Sequence, residues 1–234
     1  SLGWITSHYL PNRMDEGYGL SDEAVENCLA RHPVTLMLAV DCGSSTPEVI
    51  ERLKGRGVDV IVLDHHQVSS PPPPAVALVN PQVQMADSNA NGLRSLCSAG
   101  LAFKLAHALV KRGRENGLAA AADYDLRRLL EWVALGTIAD LVPITGENRI
   151  LVSAGLARLR NTSHPGLVAL KRVAQSPAAI GAYEVGFQLA PRLNAAGRLE
   201  TAEQALRLLT ARDLAEATPI AQSLDACNRE RQTL

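Results

Sequence analysis

The chain has 234 residues, of which 47% are hydrophobic and 20% charged, and its formal net charge is −1. This composition predicts a globular protein with a buried core and excludes an intrinsically disordered chain. There is no apolar run of membrane-spanning length and no signal-like start, so we expect neither insertion into a membrane nor secretion. Because the net charge is close to zero, a local group of basic residues must hold any anionic substrate.

The cysteine and aromatic contents narrow the function classes further. Four cysteines are scattered without C-x-x-C spacing, at Cys28, Cys42, Cys97 and Cys227. This pattern favours reduced thiols in a cytoplasm over disulfides or a structural zinc site. Aromatic residues make up only 3% of the chain, so an extended base-stacking platform is not expected.

In chain order, the first predicted elements are a loop, a helix and a βαβ unit. Ser21 is a suitable N-cap for a helix that runs to about Ala30. Two apolar runs, 34–40 and 58–63, then predict parallel strands, and Thr46-Pro47 between them is a typical helix start. A right-handed crossover would bring both strands into one sheet with their carboxyl ends at the same edge.

Ionisable residues follow both predicted strands. Asp41 ends the first run, and Asp64, His65 and His66 end the second. Singly, Asp41 suits an ordinary turn and the histidines suit a loop pair that caps the next helix. Together at a ligand-binding edge they predict a metal site, because burying such groups unpaired is costly. Carboxylate and imidazole ligands suit manganese, or magnesium, better than a thiolate-built zinc site.

The remaining pattern changes from strands to helices. The proline-rich stretch 69–74 predicts a rigid connector into a short strand at 75–79, and the polar segment 80–94 predicts a loop. Helical patterns follow at 101–110, 126–135, 149–159, 166–173 and 201–209. The predicted fold class is therefore α/β, with a parallel sheet flanked by helices and followed by a mostly helical C-terminal part.

Two later segments carry polar groups in apolar surroundings. Asp140 lies in the apolar stretch VALGTIADLV and is a candidate ligand, although an N-cap or an ion pair with Arg149 would also explain it. The segment FQLAPRLNAAGRL places Arg192, Asn194 and Arg198 among small residues. We expect a loop here that binds substrate through Arg192, Asn194 and Arg198, with the guanidinium groups on phosphate.

Six segments, in this order, resemble the DHH phosphoesterase family and within it the RecJ-type exonucleases specific for single-stranded DNA. They are YLPNRMDEGYGL, VDCGSS, VLDHH, CSAGLAFK, GTIADLVPITGENR and LAPRLNAAGRL. The resemblance implies a hydrolase that uses two manganese or magnesium ions to cleave single-stranded DNA from 5′ to 3′ in repair and recombination. It also implies DNA repair or replication proteins as partners.

The same resemblance assigns roles to individual residues. Asp41, His65 and Asp140 match metal ligands, His66 matches the histidine that faces the scissile phosphate, and Asp64 matches a ligand or an orienting carboxylate. Arg13, Arg192 and Arg198 match arginines that hold nucleic-acid phosphates. The metal ions would lower the pKa of a water molecule and stabilise the charge that develops on the phosphate.

The chain also departs from the family pattern. No D-x-D-x-D-G motif precedes Asp41, so we expect residues 1–213 to form a catalytic domain without its first strand. We expect residues 214–234 to begin a helix that leads to a second domain. Two alternatives stay open: a noncatalytic DHH scaffold that binds nucleic acid or replication proteins, and a smaller DHH phosphodiesterase acting on oligoribonucleotides or cyclic dinucleotides.

Overall fold

A computed structural model describes residues 2–83, 94–199 and 202–233, except for the side chains at positions 196, 198 and 199. Most of the predicted loop at 80–94, and the first residue of the helix predicted at 201–209, lie outside the described residues.

The first half of the chain is built around a parallel sheet of three strands in the order β1-β2-β3. The strands are β1 Leu36–Val40, β2 Asp59–Leu63 and β3 Ala77–Val79. Leu38 is paired with Ile61, and Ile61 with Ala77, so the three strands end at one edge. The predicted βαβ unit is confirmed, with helix α2 (Pro47–Gly55) as its crossover.

Helix α1 (Asp22–Arg31) begins as its sequence predicts, because the Ser21 side chain accepts a hydrogen bond from the Ala24 N–H. Pro47 occupies the first turn of α2, where its missing N–H costs nothing. Thr46 is the N-cap residue, but its hydroxyl donates to the Gly43 carbonyl at 3.4 Å and makes no cap bond.

The two faces of the sheet are covered unequally. On one face, Ile50 and Leu53 of α2 pack with Val60 and Val62 of β2, and all four are buried. On the other face Leu63 is buried with Leu96, Leu101, Val133 and Leu151. Three side chains of β1 on that face stay 43–56% exposed, at Leu36, Leu38 and Val40, and we call them the open face of β1.

Helices make up the rest of the described chain, as predicted. Their bounds are α3 Ser98–Glu115, α4 Ala119–Ala122, a 3₁₀ turn Leu126–Leu129, α5 Leu130–Ala139, α6 Gly146–Arg160, α7 Pro165–Val173, α8 Ala182–Glu184, a π turn Val185–Leu189, α9 Ala190–Leu199, α10 Glu203–Thr210 and α11 Leu214–Thr233. Among the described residues, no helix combines the length and the hydrophobicity of a membrane span.

The expected loop at 187–199 is wrong, because this segment is helical. Helix α8, the π turn and α9 follow one another without a break. Pro191, which has no N–H to donate, lies just after the π turn, where the Ala190 N–H bonds to the Val185 carbonyl. Widening the helix by one residue before the proline lets the helix continue.

Helices α5 to α11 share a second core in which small residues allow close approach. A Cβ on Gly155 of α6 would lie 2.2 Å from the Leu130 carbonyl oxygen of α5. Helix α11 packs on α7 and α9 with Ala217, Ala221 and Leu224 fully buried. The predicted helix from residue 214 is therefore present and belongs to this core, while its connection to a second domain stays a prediction.

Candidate metal centre

The ends of β1, β2 and α5 bring three predicted ligands together. His65 Nε2 lies 3.3 Å from Asp41 Oδ1 and 3.3 Å from Asp140 Oδ2. Asp140 is the C-cap residue of α5 and not an N-cap residue. Its ion pair is with His65 and not with Arg149. The structure thus assembles one locus from residues 99 positions apart in the chain (41 to 140).

Local backbone structure explains how Asp41 reaches this locus. Its N–H donates to the Leu63 carbonyl at 3.0 Å, which continues the pairing of β1 with β2 by one residue. Its φ is then +65°, a left-handed conformation that turns the chain away from the strand direction. Aspartate tolerates this conformation better than most residues other than glycine.

The surroundings of His65 fit a bound cation. The His65 side chain is only 14% exposed, and its Nε2 is a fully buried atom that makes no hydrogen bond to any described residue. Two carboxylate oxygens approach that atom without the geometry of hydrogen bonds. Adjacent ligands of a small divalent cation, held at about 2.1 Å, stand about 3 Å apart, close to the separations found here.

The charges of the ionisable groups at the locus also favour a small divalent cation. Burial raises the pKa of the Asp140 carboxyl, and the neighbouring Asp41 adds to this effect although His65 opposes it. Burial and two nearby aspartates raise the pKa of the Cys42 thiol to about 11, so Cys42 stays protonated at neutral pH. The atoms that meet at the locus are two carboxylate oxygens and an imidazole nitrogen, and these ligands suit manganese or magnesium.

The Asp64 carboxylate is directed mainly at backbone N–H groups and not at the metal locus. It organises the turn that follows β2. It is 1% exposed, and its Oδ1 accepts hydrogen bonds from the backbone N–H groups of His65, at 2.8 Å, and His66, at 3.2 Å. Its Oδ2 accepts from the Ser44 N–H at 3.1 Å. Burial raises the pKa of Asp64, but the bonds from His66 and Ser44 outweigh it and the net shift is downward.

His66 is oriented by the same carboxylate. Its Nδ1 lies 2.8 Å from Asp64 Oδ1, a hydrogen bond that raises the pKa of the imidazole although partial burial opposes it. With Nδ1 engaged, Nε2 is the nitrogen left for a ligand. Ligand atoms of Asp41, His65 and His66 lie within 4.8 Å of one another, so His66 is at the edge of the locus with a half-exposed ring.

Two further residues complete the hydrogen-bond network around Asp64 and His66. Asn80, after β3, donates from Nδ2 to the Ser44 hydroxyl oxygen at 2.8 Å and to the His66 carbonyl at 2.9 Å. Ser44 is fully buried and Asn80 is 7% exposed. Ser44 belongs to the family-like segment VDCGSS, but Asn80 follows an ordinary strand end, and only its position at the common edge of the sheet could have pointed to it.

The loop that carries Arg13 is held by a buried carboxylate, Glu16. Glu16 is 8% exposed and accepts hydrogen bonds from the Tyr9 hydroxyl, the Asn27 amide and, at 2.7 Å, the Asn12 N–H. The bond from Tyr9 is the main cause that lowers the pKa of Glu16. Arg13 itself is exposed, with its guanidinium carbon 4.7 Å from the centre of the Tyr18 ring.

Three substrate-binding residues are predicted in the second half of the chain, Arg192, Asn194 and Arg198. Arg192 is largely buried, and its Nε donates to Asp225 of α11 at 2.8 Å and its Nη1 to the Gln188 carbonyl at 2.6 Å. Asn194 is exposed on α9. The side chain of Arg198 lies outside the described residues. Arg192 therefore makes structural contacts within the protein, and a role in binding substrate would be additional to them.

The family to which these features belong follows from a comparison with known proteins. The family description "DHH family, N-terminal domain" matches residues 3–137, which is more than half of the chain. This chain belongs to the DHH family. The matched DHH range contains Asp41, Asp64, His65 and His66, and Asp140 lies just beyond it.

Among DHH proteins, the chain is similar to RecJ over its whole length. It is 40% identical over 240 aligned positions to the single-stranded-DNA-specific exonuclease RecJ of Dickeya dadantii (strain 3937), covering 100% of this chain and 41% of that protein. The same figures hold for RecJ of Escherichia coli (strain K12). The chain thus spans about 41% of the length of these relatives.

A solved structure agrees with the similarity in sequence. The crystal structure of exonuclease RecJ bound to manganese superposes with a TM-score of 0.79 at 38% identity, covering 95% of this chain and 53% of that one. The shared fold includes the parallel sheet flanked by helices and the helical second half.

Proposed function

We propose that this protein is a RecJ-type, divalent-metal-dependent phosphodiesterase that degrades single-stranded DNA from its 5′ end. The observation that carries the proposal is the convergence of Asp41 and Asp140 on the buried, unbonded Nε2 of His65. A buried ring nitrogen that lies between two carboxylates and makes no hydrogen bond is costly in a folded protein unless a cation joins them. Similarity to RecJ exonucleases supports the substrate class.

In this proposal the chain supplies the ligands and the groups that orient the substrate. Asp41, His65 and Asp140 hold the metal, with two ions in the active protein. Bound divalent ions supply an activated water and stabilise charge on the phosphate. Asp64 fixes His66 through Nδ1, so that Nε2 faces the scissile phosphate and can donate a proton to it. Arg13, Arg192, Asn194 and Arg198 hold neighbouring parts of the DNA strand.

The wider assignments are part of the same proposal. Residues 1–213 form the catalytic domain, and α11 leads from it toward a second domain. The protein would act in the cytoplasm, in DNA repair and recombination, beside repair or replication proteins. The competing proposal is a noncatalytic scaffold, which has no need of a costly cluster of ionisable side chains but would also bind DNA.

The deciding experiment uses the full-length gene product and oligonucleotides labelled at the 5′ or the 3′ end. With manganese present, we expect mononucleotides to be released from single-stranded DNA in the 5′ to 3′ direction, and much more slowly from a blunt duplex. Asp41→Asn should lose at least about 100-fold in turnover while it keeps most of its DNA affinity, because the ligand acts on the reacting phosphate. Tight DNA binding without hydrolysis by the wild type would favour the scaffold.

A further inference from the structure

We propose that Asn80 is a positioning residue that sets the orientation of His66, and this inference rests on the function proposed above. Asn80 lies directly after β3, and the turn with Asp64, His65 and His66 lies directly after β2. Its side chain therefore connects two neighbouring strand ends beneath the metal locus. Its contacts are with Ser44, with the backbone carbonyl of His66 and with the Gln82 N–H, and not with the metal ligands Asp41, His65 and Asp140.

The orientation of the Asn80 amide is fixed by its three hydrogen bonds. Nδ2 donates to Ser44 Oγ at 2.8 Å and to the His66 carbonyl at 2.9 Å, while Oδ1 accepts from the Gln82 N–H at 2.8 Å. Reversing the amide would turn Oδ1 toward a carbonyl oxygen and Nδ2 toward an N–H. Because two acceptors or two donors would then face each other, only one orientation satisfies all the groups.

Packing constrains His66 only in part. Its side chain is 49% exposed and its ring centre lies 4.4 Å from that of His65, so hydrogen bonds contribute to holding the residue in place. Asp64 fixes its N–H and its Nδ1, and both of these bonds go to the same carboxylate oxygen. The bond from Asn80 is at the other end of the residue, on its carbonyl, and it prevents rotation of the turn about the Asp64 contacts.

The strand pairing itself does not depend on the Asn80 side chain. The Asp64 N–H donates to the Val79 carbonyl at 3.1 Å, so β2 and β3 stay in register when the amide is removed. Loss of the side chain should therefore release His66 without unfolding the sheet. This separates a positioning role from a general structural one.

The test compares Asn80→Ala with Gln82→Ala in the full-length gene product. Gln82→Ala removes an exposed side chain two residues away but keeps the backbone N–H that binds Asn80 Oδ1, so only Asn80→Ala removes the hydrogen bonds of the Asn80 amide. Ser44, whose hydroxyl and N–H both hydrogen-bond to Asp64, is unchanged in both variants. With saturating manganese, Asn80→Ala should lower kcat about 10- to 100-fold, as the loss of an orienting contact does, with KM for single-stranded DNA within about twofold.

A second measurement reads the position of His66 without metal or turnover. In metal-free protein with ¹³Cε1-labelled histidine, the His66 signal, assigned by its loss in His66→Ala, should shift and broaden in Asn80→Ala and stay near its wild-type position in Gln82→Ala. Gln82→Ala should also keep most of the wild-type turnover.

Three outcomes would overturn the inference. An Asn80→Ala variant with wild-type kcat and an unmoved His66 signal would remove the positioning role and leave the proposed function intact. Equal losses of kcat in Asn80→Ala and Gln82→Ala would assign the effect to a general disturbance of the segment after β3. A wild-type protein that does not cut DNA would overturn the proposed function, and the role of Asn80 in turnover with it.

Discussion

Asp140 is the residue whose charge depends most on what the locus binds. Without a cation, burial and the nearby Asp41 carboxylate raise its pKa, so keeping Asp140 ionised at neutral pH costs folding free energy. A bound divalent ion would lower the pKa of Asp140 and make its ionised form favourable. The stability of the protein should therefore reveal the metal site even without an assay of activity.

We predict that Asp140→Asn is at least as stable as the wild type in EDTA but gains much less stability from manganese. At a manganese concentration about 100 times its dissociation constant, binding should stabilise the wild type by about 2.7 kcal/mol. Thermal unfolding with and without manganese measures both effects. Asp59→Asn, an exposed change at the opposite end of β2, is the control and should behave like the wild type. Equal manganese-induced shifts in all three proteins would remove Asp140 from the site.

Glu16 makes stability depend on pH in a different way. Hydrogen bonds to its carboxylate, first of all from Tyr9, lower its pKa in the folded protein. Its contribution to stability is therefore complete above its unfolded pKa of about 4.3 and is lost as the pH falls through the lower folded pKa.

We predict that Glu16→Gln destabilises the protein at pH 7 by about 1–3 kcal/mol, since an amide cannot accept all the bonds that the carboxylate accepts. The difference from the wild type should shrink below about pH 4, where the wild-type carboxyl also becomes neutral. Urea unfolding at several pH values measures it, with the exposed Glu51→Gln as control. A difference that is independent of pH would mean that packing, and not charge, explains the effect.

At the residue scale, the sequence predicted those groups whose chemistry is unusual for their position. Asp41, His65 and Asp140 could be selected because carboxylates and imidazoles seldom follow apolar segments without a partner. Asn80 and Glu16 could not, because an asparagine after a strand and a glutamate in a polar loop are ordinary. Their roles come from burial, which depends on contacts between distant parts of the chain.

At the scale of elements, helix pairing in the second half depends on glycines where helices cross. A Cβ at Gly155 would lie 2.2 Å from the Leu130 carbonyl oxygen and 2.6 Å from the Ala134 Cβ, both on α5. The backbone of α5 cannot move away from α6 without disturbing Asp140 at its end. The distance between these two helices thus affects the geometry of the metal locus.

We predict that Gly155→Ala destabilises the protein by about 1–3 kcal/mol, although alanine favours helix by up to about 1 kcal/mol. Gly55→Ala in α2 is the matched control, because a Cβ there meets nothing within 4 Å. That variant should be as stable as the wild type or more stable. Denaturant midpoints compare the three proteins, and similar midpoints for both variants would contradict the close α5–α6 contact.

The strands could be predicted because β1 and β2 are short apolar runs, and helix α1 because Ser21 is a common N-cap residue. The helical path through 185–199 could not, because a proline and several small residues have the composition of a loop. What overrides that local signal is tertiary packing, which buries Val185 and Leu189 in the helical core. The sequence also could not predict that one face of the sheet is covered less than the other, since the β1 sequence is apolar throughout.

At the scale of the whole molecule, two cores meet at the metal locus. The sheet with α1 and α2 supplies Asp41 and His65, and the helical half supplies Asp140 from α5. A third cluster, in which Leu63 packs with Val133, joins the two. The relative position of the cores therefore sets the distance between the two carboxylates, and a ligand that binds both would stabilise the junction.

The open face of β1 has a consequence for anyone who would produce or redesign this chain. In the described part of the sheet, β1 is an edge strand, and it exposes three large aliphatic side chains beside its unpaired backbone groups. Such an edge pairs readily with another strand, whether from the same protein or from a second copy. When this chain is produced by itself, Leu38→Lys, at a side chain that is 45% exposed, should therefore reduce self-association through β1.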